Sequence, residues 1–284
     1  VRITTPVFVD VDERTFNLDP DQLEKAIAVV KQQGKLRPRA VVAVDLFGQP
    51  ADYERIEAIC KEHGLLLLED GAQGFGGSIG ERRACSFGDA ATTSFFPAKP
   101  LGCYGDGGAV FTNDDQLDEL LRSLRVHGKS PVSKYDNVRI GVNSRLDTLQ
   151  AAVLGVKLDA FASYELEAVN RAAQLYSEYL GEATKTPVVP EGFGSSWAQY
   201  TILLEDEAQR QKVQHALKEQ GIPTMVYYPK PMHLQGAFDQ LEQPVACPVT
   251  ESLCQRVVSL PMHPYLSEED IRFVSNAVKA ALEE

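Results

Sequence analysis

A lysine and an aspartate occupy positions at which they could hold an aldehyde cofactor. Lys99 lies in the stretch 94–102 (Ser-Phe-Phe-Pro-Ala-Lys-Pro-Leu-Gly), and Asp70 follows an apolar run that ends at Leu68. A lysine amine can bind an aldehyde as a Schiff base, and a carboxylate can hold the protonated ring nitrogen of pyridoxal phosphate. The ordinary alternative is a solvated lysine and a turn aspartate. The apolar neighbours of Lys99 favour the functional interpretation.

The elements that would position these two residues alternate between strands and helices in the first half of the chain. Such alternation predicts a mainly parallel sheet with crossover helices, which binds ligands at the carboxyl ends of its strands. Asp70 and Lys99 would then lie at strand ends or in adjoining loops. From hydrophobic periodicity, strands are predicted at 7–11, 40–46, 65–68, 91–96 and 108–112, and helices at 21–33, 53–63 and 114–126.

The second half of the chain predicts a smaller α+β unit. The proline-free stretch 148–180 indicates one long helix or two abutting helices, with Gly155 as its only breaker. Later segments predict strands at 197–204 and 224–227, a loop region through Pro248, and helices at 207–220 and 268–282. We therefore expect two domains, a large one over 1–160 and a small one over 161–284.

Composition and charge exclude several classes of partner. The chain has 284 residues, of which 44% are hydrophobic, and a net charge of -12. An acidic protein is a poor partner for nucleic acid, because phosphate backbones require a basic surface. The sequence contains no apolar run long enough for a membrane span, so we expect no membrane partner.

The cysteines and histidines do not form metal-binding patterns. The five cysteines are odd in number and form no C-x-x-C pair, and the five histidines have no H-x-x-x-H spacing. Neither a disulfide framework nor a metal site is therefore expected. Reduced thiols predict a cytoplasmic protein.

Several motifs in this order resemble the pyridoxal-phosphate sugar aminotransferases of the DegT/DnrJ/EryC1/StrS family. The resemblance covers essentially the whole chain and implies an aspartate-aminotransferase-like fold, fold type I of the pyridoxal-phosphate enzymes. The matching segments are 68–73 (Leu-Glu-Asp-Gly-Ala-Gln), 94–102, 105–109 (Gly-Asp-Gly-Gly-Ala), 142–147 (Val-Asn-Ser-Arg-Leu-Asp), 150–152 (Gln-Ala-Ala), 227–229 (Tyr-Tyr-Pro) and 260–264 (Leu-Pro-Met-His-Pro).

The resemblance also implies a cofactor site. Lys99 is expected to carry pyridoxal 5'-phosphate, with Asp70 on its ring nitrogen and Gln73 near its ring and 3-hydroxyl. Ser94 matches a serine that binds the cofactor phosphate, although a satisfied strand hydroxyl is the alternative. Asn143 matches a residue that reaches the phosphate from the neighbouring subunit, which predicts a homodimer with shared active sites.

Three further residues are candidates for substrate binding. Arg145 is expected to bind the anionic part of a nucleotide-linked sugar, with surface ion pairing as an almost equal alternative. Tyr227 and Tyr228 match an aromatic pair near the substrate, although Tyr227 departs from the histidine that the family often has there. His233 and His263 remain possible pocket residues.

The activity implied by the resemblance is transfer of an amino group, from glutamate, to a keto group of a nucleotide-linked sugar. The sequence after Lys99 resembles that of family members that aminate C3 of a UDP-2-acetamido-hexuronic acid, in amino-sugar or surface-polysaccharide synthesis. Two alternatives stay open. One is a sugar dehydratase of the same fold, which typically has histidine in place of the lysine, and the other is a non-catalytic regulatory member.

The start of the sequence lacks one motif of the family. Family members usually have an earlier Ser/Asn-Gly-Thr turn at a helix N-terminus, whose backbone amides hold the cofactor phosphate. No such turn precedes residues 1–6 (Val-Arg-Ile-Thr-Thr-Pro). We therefore expect the first part of the large domain to be absent from this sequence.

Overall fold

Helices and strands alternate along most of the chain. The computed structural model describes residues 4–133 and 135–283. In chain order, its elements are α1 (Pro20–Gln33), β1 (Ala40–Val44), α2 (Tyr53–His63), β2 (Leu66–Asp70), β3 (Ser78–Ile79), β4 (Arg82–Arg83), β5 (Ala90–Ser94), β6 (Gly108–Phe111), α3 (Asp115–Leu124), α4 (Thr148–Ala160), α5 (Leu166–Leu180), β7 (Phe193–Gly194), β8 (Tyr200–Leu203), α6 (Glu207–Glu219), α7 (Pro248–Arg256), β9 (Val257–Leu260) and α8 (Glu268–Glu283).

The central sheet has four strands in the order β1-β2-β5-β6. The first three strands are parallel, and β6 is antiparallel to β5. Asp70, the last residue of β2, lies in register with Val44 of β1 and Thr92 of β5. The sheet is thus mostly parallel, and the predicted α/β fold is confirmed.

Two hydrophobic cores hold the two halves of the chain. The first packs α1 and α2 against β1 and β2, and the fully buried Tyr53 stacks on Phe87 with ring centroids 4.5 Å apart. The second packs α5, α6 and α8 around the antiparallel pair of β8 and β9, where Tyr176 stacks on Tyr200 at 4.9 Å. A smaller cluster joins Phe16 and Phe47 of the first half to side chains of β8, α7 and β9.

The long helical stretch is two α-helices joined by a π-helical turn over Phe161–Glu165. Two abutting helices were one of the predicted arrangements, but the break is not at Gly155, which lies inside α4. Phe161 packs with Phe95 and Leu101, which flank Lys99. The π-helical turn therefore helps to support the loop that carries Lys99.

Some predicted strands are wrong. The segment 7–11 forms only an isolated bridge between Val11 and Leu18, and the segment 224–227 only one between Met225 and Ser259. The elements α7 and β9 were not predicted.

Two further structural findings concern the described part of the chain alone. None of its helices combines the length and the apolar character needed to cross a membrane. Within residues 4–133 and 135–283, no group of three or more acidic, histidine or cysteine side chains could hold a metal ion.

Candidate active site

Asp70 and Lys99 follow neighbouring parallel strands at the same edge of the sheet. Asp70 ends β2, and Lys99 lies in the loop that leaves β5. That loop is closed by backbone bonds from Lys99 N to Phe96 O at 2.9 Å and from Cys103 N to Phe95 O at 2.8 Å. Since carboxyl ends of parallel strands meet at one edge, the topology brings a carboxylate and an amine to one region.

Lys99 is half-buried, although Phe96, Pro97 and Ala98 before it are exposed. Phe95 and Leu101, which lie on either side of Lys99 in the sequence, are buried. Among the residues that the structure describes, none forms a hydrogen bond or an ion pair with Lys99 Nζ. The amine is thus available to a ligand.

The carboxylate of Asp70 is half-buried at the start of a tight turn. Its Oδ1 accepts a hydrogen bond from Ala72 N at 3.1 Å. The backbone of the turn is tied to β5, because Gly71 N donates to Thr92 O at 2.8 Å, and Thr93 Oγ1 donates to Gly71 O at 2.9 Å. These bonds fix the direction in which the Asp70 side chain leaves the sheet.

Glycine is required at two positions of this turn. A Cβ on Gly71 would lie 2.7 Å from Cys85 Sγ, and a Cβ on Gly74 would lie 2.1 Å from Asp45 Oδ2. Both distances are shorter than van der Waals contact, so a side chain at either position forces the turn to move. The close packing explains the glycines of the motif that follows Asp70.

We expect Gly74→Ala to lower the unfolding free energy by about 1–3 kcal/mol, because the added methyl group overpacks a buried site. The matched control is Gly236→Ala, since a Cβ on Gly236 meets only Asp239 Oδ2, at an ordinary 3.8 Å. Thermal unfolding of both variants checks the prediction. Equal melting temperatures for the two variants would contradict it.

Gln73 is buried and held from two sides. Its Oε1 accepts a hydrogen bond from Phe47 N at 2.7 Å, and its backbone oxygen accepts one from Ser196 Oγ at 2.7 Å. Tyr228 also interacts with the Gln73 side chain and is close enough to Asp70 to sense its charge. The structure therefore places Tyr228 close to both Gln73 and Asp70.

The hydroxyl of Tyr228 is kept in its protonated form. Burial, followed by the neighbouring Tyr227 and the charge of Asp70, raises its pKa, and the hydrogen bond with Gln73 opposes this shift. At neutral pH the group is a hydrogen-bond donor. Tyr227, in contrast, packs against the cluster of Phe16 and Phe47.

Ser94 lies at the same edge as Lys99, at the end of β5. It is half-buried, and its Oγ accepts a hydrogen bond from Phe96 N at 3.2 Å. The O–H proton of this serine can still be donated to an anion. A hydroxyl donor thus lies on the strand that leads into the lysine loop.

Asn143 and Arg145 lie on an exposed segment beside the end of α3. Arg145 Nη2 donates to Asn143 Oδ1 at 2.7 Å, and the segment is tied to α3 by a bond from Ser144 N to Arg125 O at 2.9 Å. Both side chains are exposed. The remaining candidates, His233 and His263, interact with Glu251 and with the backbone of Tyr265.

Sequence reasoning missed a pair of carboxyl groups beneath the turn. Asp45 and Glu69 are fully buried, and Asp45 N donates to Asp70 O at 3.0 Å. Asp45 follows β1 as Asp70 ends β2, so an acidic residue at the end of a predicted strand was the available signal. The pairing of residues so distant in sequence was not visible.

The residues of this edge fit pyridoxal phosphate. The half-buried Asp70 carboxylate can accept a hydrogen bond from a protonated ring nitrogen. The Lys99 amine, which has no partner among the described residues, can bind an aldehyde. Ser94 supplies a hydroxyl donor for a phosphate, and Tyr228 and Gln73 supply polar contacts. These side chains could therefore hold the ring nitrogen, the aldehyde and one oxygen of the phosphate.

Comparisons with known proteins identify the family to which the chain belongs. The model of the DegT/DnrJ/EryC1/StrS aminotransferase family matches residues 3–279. The chain is 43% identical over 274 residues to the UDP-2-acetamido-2-deoxy-3-oxo-D-glucuronate aminotransferase of Pseudomonas aeruginosa, covering 96% of this chain and 72% of that protein. It is 44% identical to a pleiotropic regulatory protein of Geobacillus stearothermophilus, covering 95% of this chain and 70% of that protein.

Solved structures give the same result. The fold matches a DegT DnrJ EryC1 StrS aminotransferase from Brucella abortus with a TM-score of 0.93 and 49% identity, covering 97% of this chain and 73% of that one. It also matches DesV of S. venezuelae, solved in complex with a ketimine intermediate, with a TM-score of 0.90 and 36% identity, covering 99% and 73% of the two chains. The chain therefore belongs to the DegT/DnrJ/EryC1/StrS aminotransferase family, whose cofactor is pyridoxal 5'-phosphate.

Proposed function

We propose that the chain is an aminotransferase that uses pyridoxal 5'-phosphate to transfer an amino group, from glutamate, to a keto group of a nucleotide-linked sugar. The observation that carries this proposal is the placement of Asp70 and Lys99 after neighbouring parallel strands, at one edge of the sheet. The substrate named for the relative from Pseudomonas aeruginosa supports C3 of a UDP-2-acetamido-hexuronic acid as the finer assignment.

Each residue of the edge has a separate task. When bound, the cofactor supplies an electron sink for the electron pair that remains when a proton leaves the substrate carbon. Asp70 holds the proton on the ring nitrogen, and Gln73 orients the ring at its 3-hydroxyl. Ser94 donates its hydroxyl proton to the phosphate. Lys99 Nζ would hold the aldehyde carbon and, once free, would accept the proton that leaves the substrate carbon.

The tyrosines and Arg145 are proposed to bind the substrate. Tyr228 donates a hydrogen bond from a hydroxyl that stays protonated, and it lies beside Asp70 and Gln73. Tyr227 contributes packing next to it, with ring centroids 5.5 Å apart. Arg145 is exposed and positively charged, which suits the anionic part of a nucleotide.

We also propose that the enzyme is a homodimer in which Asn143 reaches the cofactor phosphate of the second copy. The segment that carries Asn143 and Arg145 is rich in exposed apolar side chains, among them Val132 at 93%, Ile140 at 91% and Leu149 at 81% exposure. Monomeric proteins seldom expose so much apolar surface in one stretch, so a partner surface is expected here. Because the Asn143 side chain is exposed, it is free to contact a second subunit.

We expect Ile140→Glu to convert the dimer into monomers and to weaken pyridoxal phosphate binding by about tenfold or more, because a charge is placed in an apolar interface and one phosphate contact is lost. Phe273→Glu is the control, since Phe273 is 52% exposed on α8. Sedimentation velocity measures the mass, and an absorbance titration measures the affinity. A wild-type protein that sediments as a monomer overturns the dimer proposal.

The domain division and the location are proposals of the same kind. We propose a large cofactor domain over 1–160 and a small domain over 161–284, supported by the two separate cores. A cytoplasmic location is supported by the five free cysteines, all of them buried.

The test of the function is an assay with a panel of substrates. UDP-linked and dTDP-linked keto sugars are incubated with glutamate, pyridoxal phosphate and the full-length protein, and the formation of 2-oxoglutarate is followed. Amination of a UDP-linked 3-keto-hexuronic acid supports the finer assignment. A dehydrated sugar formed without consumption of glutamate supports the dehydratase, and no cofactor binding at all supports the regulatory alternative.

A further inference from the structure

Two carboxyl groups without a task in the proposed mechanism lie beneath the turn that carries Asp70. Asp45 and Glu69 are both 0% exposed. Asp45 Oδ1 accepts hydrogen bonds from the Tyr53 hydroxyl at 2.8 Å and from Ala51 N at 3.3 Å. Its other oxygen, Oδ2, is buried without a hydrogen-bond partner among the described residues. Such an atom is costly when the group is ionised, because nothing replaces the lost water.

Asp45 and Glu69 differ in how their carboxyl oxygens are hydrogen-bonded. Glu69 Oε1 accepts a hydrogen bond from Cys85 N, and Glu69 Oε2 accepts one from Phe87 N at 2.8 Å. Two backbone donors favour a negative charge on Glu69. Burial raises the pKa of Asp45 well above its usual range, and repulsion from Glu69 raises it further. Burial also raises the pKa of Glu69, although its backbone hydrogen bonds oppose that shift.

The groups around Asp45 and Glu69 do not remove the repulsion between the two buried carboxylates. Burial raises the pKa of Tyr53 and raises that of the Cys85 thiol to about 12, so both side chains are neutral at ordinary pH. Arg82 acts on Glu69 through its charge, but its guanidinium binds Glu57 in a bidentate pair at 2.8 and 2.9 Å. A single proton held between the two carboxyl groups relieves the repulsion.

The Asp70 carboxylate at the end of β2 adds negative charge to the same surroundings, since it also raises the pKa of Tyr53 and Cys85. A proton is therefore favoured further at the buried pair. Asp45 is its more stable position, because both oxygens of Glu69 already accept N–H donors.

The position of Asp45 is linked directly to the turn above it. A Cβ on Gly74 would lie 2.1 Å from Asp45 Oδ2, so this oxygen packs against the turn backbone. Asp45 N also donates to Asp70 O at 3.0 Å. Displacement of Asp45 would therefore move the residues on both sides of this turn, Asp70 and Gln73.

We propose that Asp45 and Glu69 share one proton and act as a positioning pair for Asp70 and Gln73, so that loss of this proton at alkaline pH weakens binding of pyridoxal phosphate. Both side chains are fully buried, so their proposed effect on the cofactor is indirect. The inference rests on the proposed function for its consequence, but the shared proton itself is a property of the protein without cofactor.

The shared proton is tested on the unmodified full-length protein. Infrared spectroscopy of protein labelled with carbon-13 at the aspartate carboxyl carbon is expected to show a protonated carboxyl band at pH 7 that shifts with the label. Asp45→Asn should remove this band, because an amide replaces the protonated acid with little change in shape. Absence of a label-sensitive band in the wild-type protein at pH 7 overturns the proposal.

The effect on stability has a defined sign. A carboxyl group whose pKa is raised on folding stabilises the fold in its neutral form, fully below the unfolded pKa of about 3.9, and this contribution is lost as pH rises through the folded value. Between the unfolded pKa and the folded pKa of the pair, the melting temperature of Asp45→Asn relative to wild type should therefore increase by about 3 °C for each pH unit. A constant difference between pH 5 and pH 8 overturns the proposal.

The effect on the cofactor site is measured by titration with pyridoxal phosphate at several pH values. Effects of pH on Lys99 and on the cofactor are common to both proteins, so the ratio of the Kd of wild type to the Kd of Asp45→Asn isolates the pair. This ratio should rise with pH, by up to about tenfold for each unit above the pKa of the shared proton. A flat ratio in the pH range in which the infrared band disappears overturns the positioning role. If neither protein binds the cofactor at any pH, the proposed function fails, and the infrared and melting experiments still decide the shared proton.

Discussion

Lys99→Ala abolishes the visible absorption of the protein with pyridoxal phosphate and lowers the rate of transamination by about 10³-fold or more. The expected loss is large because one amine both holds the aldehyde carbon and moves the proton, and proton transfer by a positioned group alone accounts for about 10²–10⁴-fold. Lys99 is the one lysine in residues 95–107, the loop between β5 and β6, so no other lysine of that loop can replace it. The measurements are an absorbance spectrum and the formation of 2-oxoglutarate.

The matched control for this variant is Lys157→Ala. Lys157 is also half-buried, and it lies in α4. The control is expected to keep the absorption band and the wild-type rate. Retention of the band in Lys99→Ala would contradict the assignment of the catalytic lysine.

Asp70→Asn has the second largest expected effect, a fall of kcat by about 10²–10³-fold with the overall fold retained. A neutral amide has nearly the shape of the carboxylate but cannot hold the charge of a protonated ring nitrogen, and preorganised charge in such sites is worth about that factor. Within the described part of the chain, Asp70 Oδ1 accepts one backbone hydrogen bond, from Ala72 N at 3.1 Å. The substitution therefore disturbs the turn little.

The control for Asp70→Asn is Asp115→Asn, in the first turn of α3. It removes the same charge far along the chain from the site and should leave kcat unchanged. Single-turnover rates with glutamate separate the chemical step from sugar binding. An Asp70→Asn enzyme with a wild-type single-turnover rate would show that the ring nitrogen is held by another group.

The positions of Asp70 and Lys99 relative to the strands could be predicted because local patterns determine them. The apolar run before Asp70 forms β2, and the segment before Lys99 forms β5, as expected. The parallel order then brings their carboxyl ends to one edge without any further information. The family resemblance added the cofactor and was confirmed by the comparisons.

The errors in the fold arise where distant contacts override a local pattern. The segment 7–11 has strand-like composition, yet Asp10 accepts hydrogen bonds from Val249 N at 2.9 Å and Thr250 N at 2.8 Å. Both residues lie in the first turn of α7, which begins at Pro248, so Asp10 binds the start of this helix and the segment does not join a sheet. Nothing near Asp10 in sequence reveals this partner.

Strand β9 was missed for a different reason. All four of its residues are buried, so it shows no alternation, and it follows α7 without an intervening loop. A short apolar run after a helix is equally consistent with a continuing buried helix. The carboxyl pair of Asp45 and Glu69 could not be predicted either, because Asp45 follows β1, Glu69 lies in β2, and the register of these two strands is a tertiary property.

The covalent attachment of the cofactor is the claim on which the function depends, and reduction followed by mass spectrometry tests it directly. The full-length protein is incubated with pyridoxal phosphate, treated with borohydride and digested. We predict that the reduced cofactor is found on the peptide that contains Lys99, with one cofactor for each chain. Recovery of the cofactor on another lysine, or of an unmodified Lys99 peptide from protein that has bound the cofactor, would contradict the account.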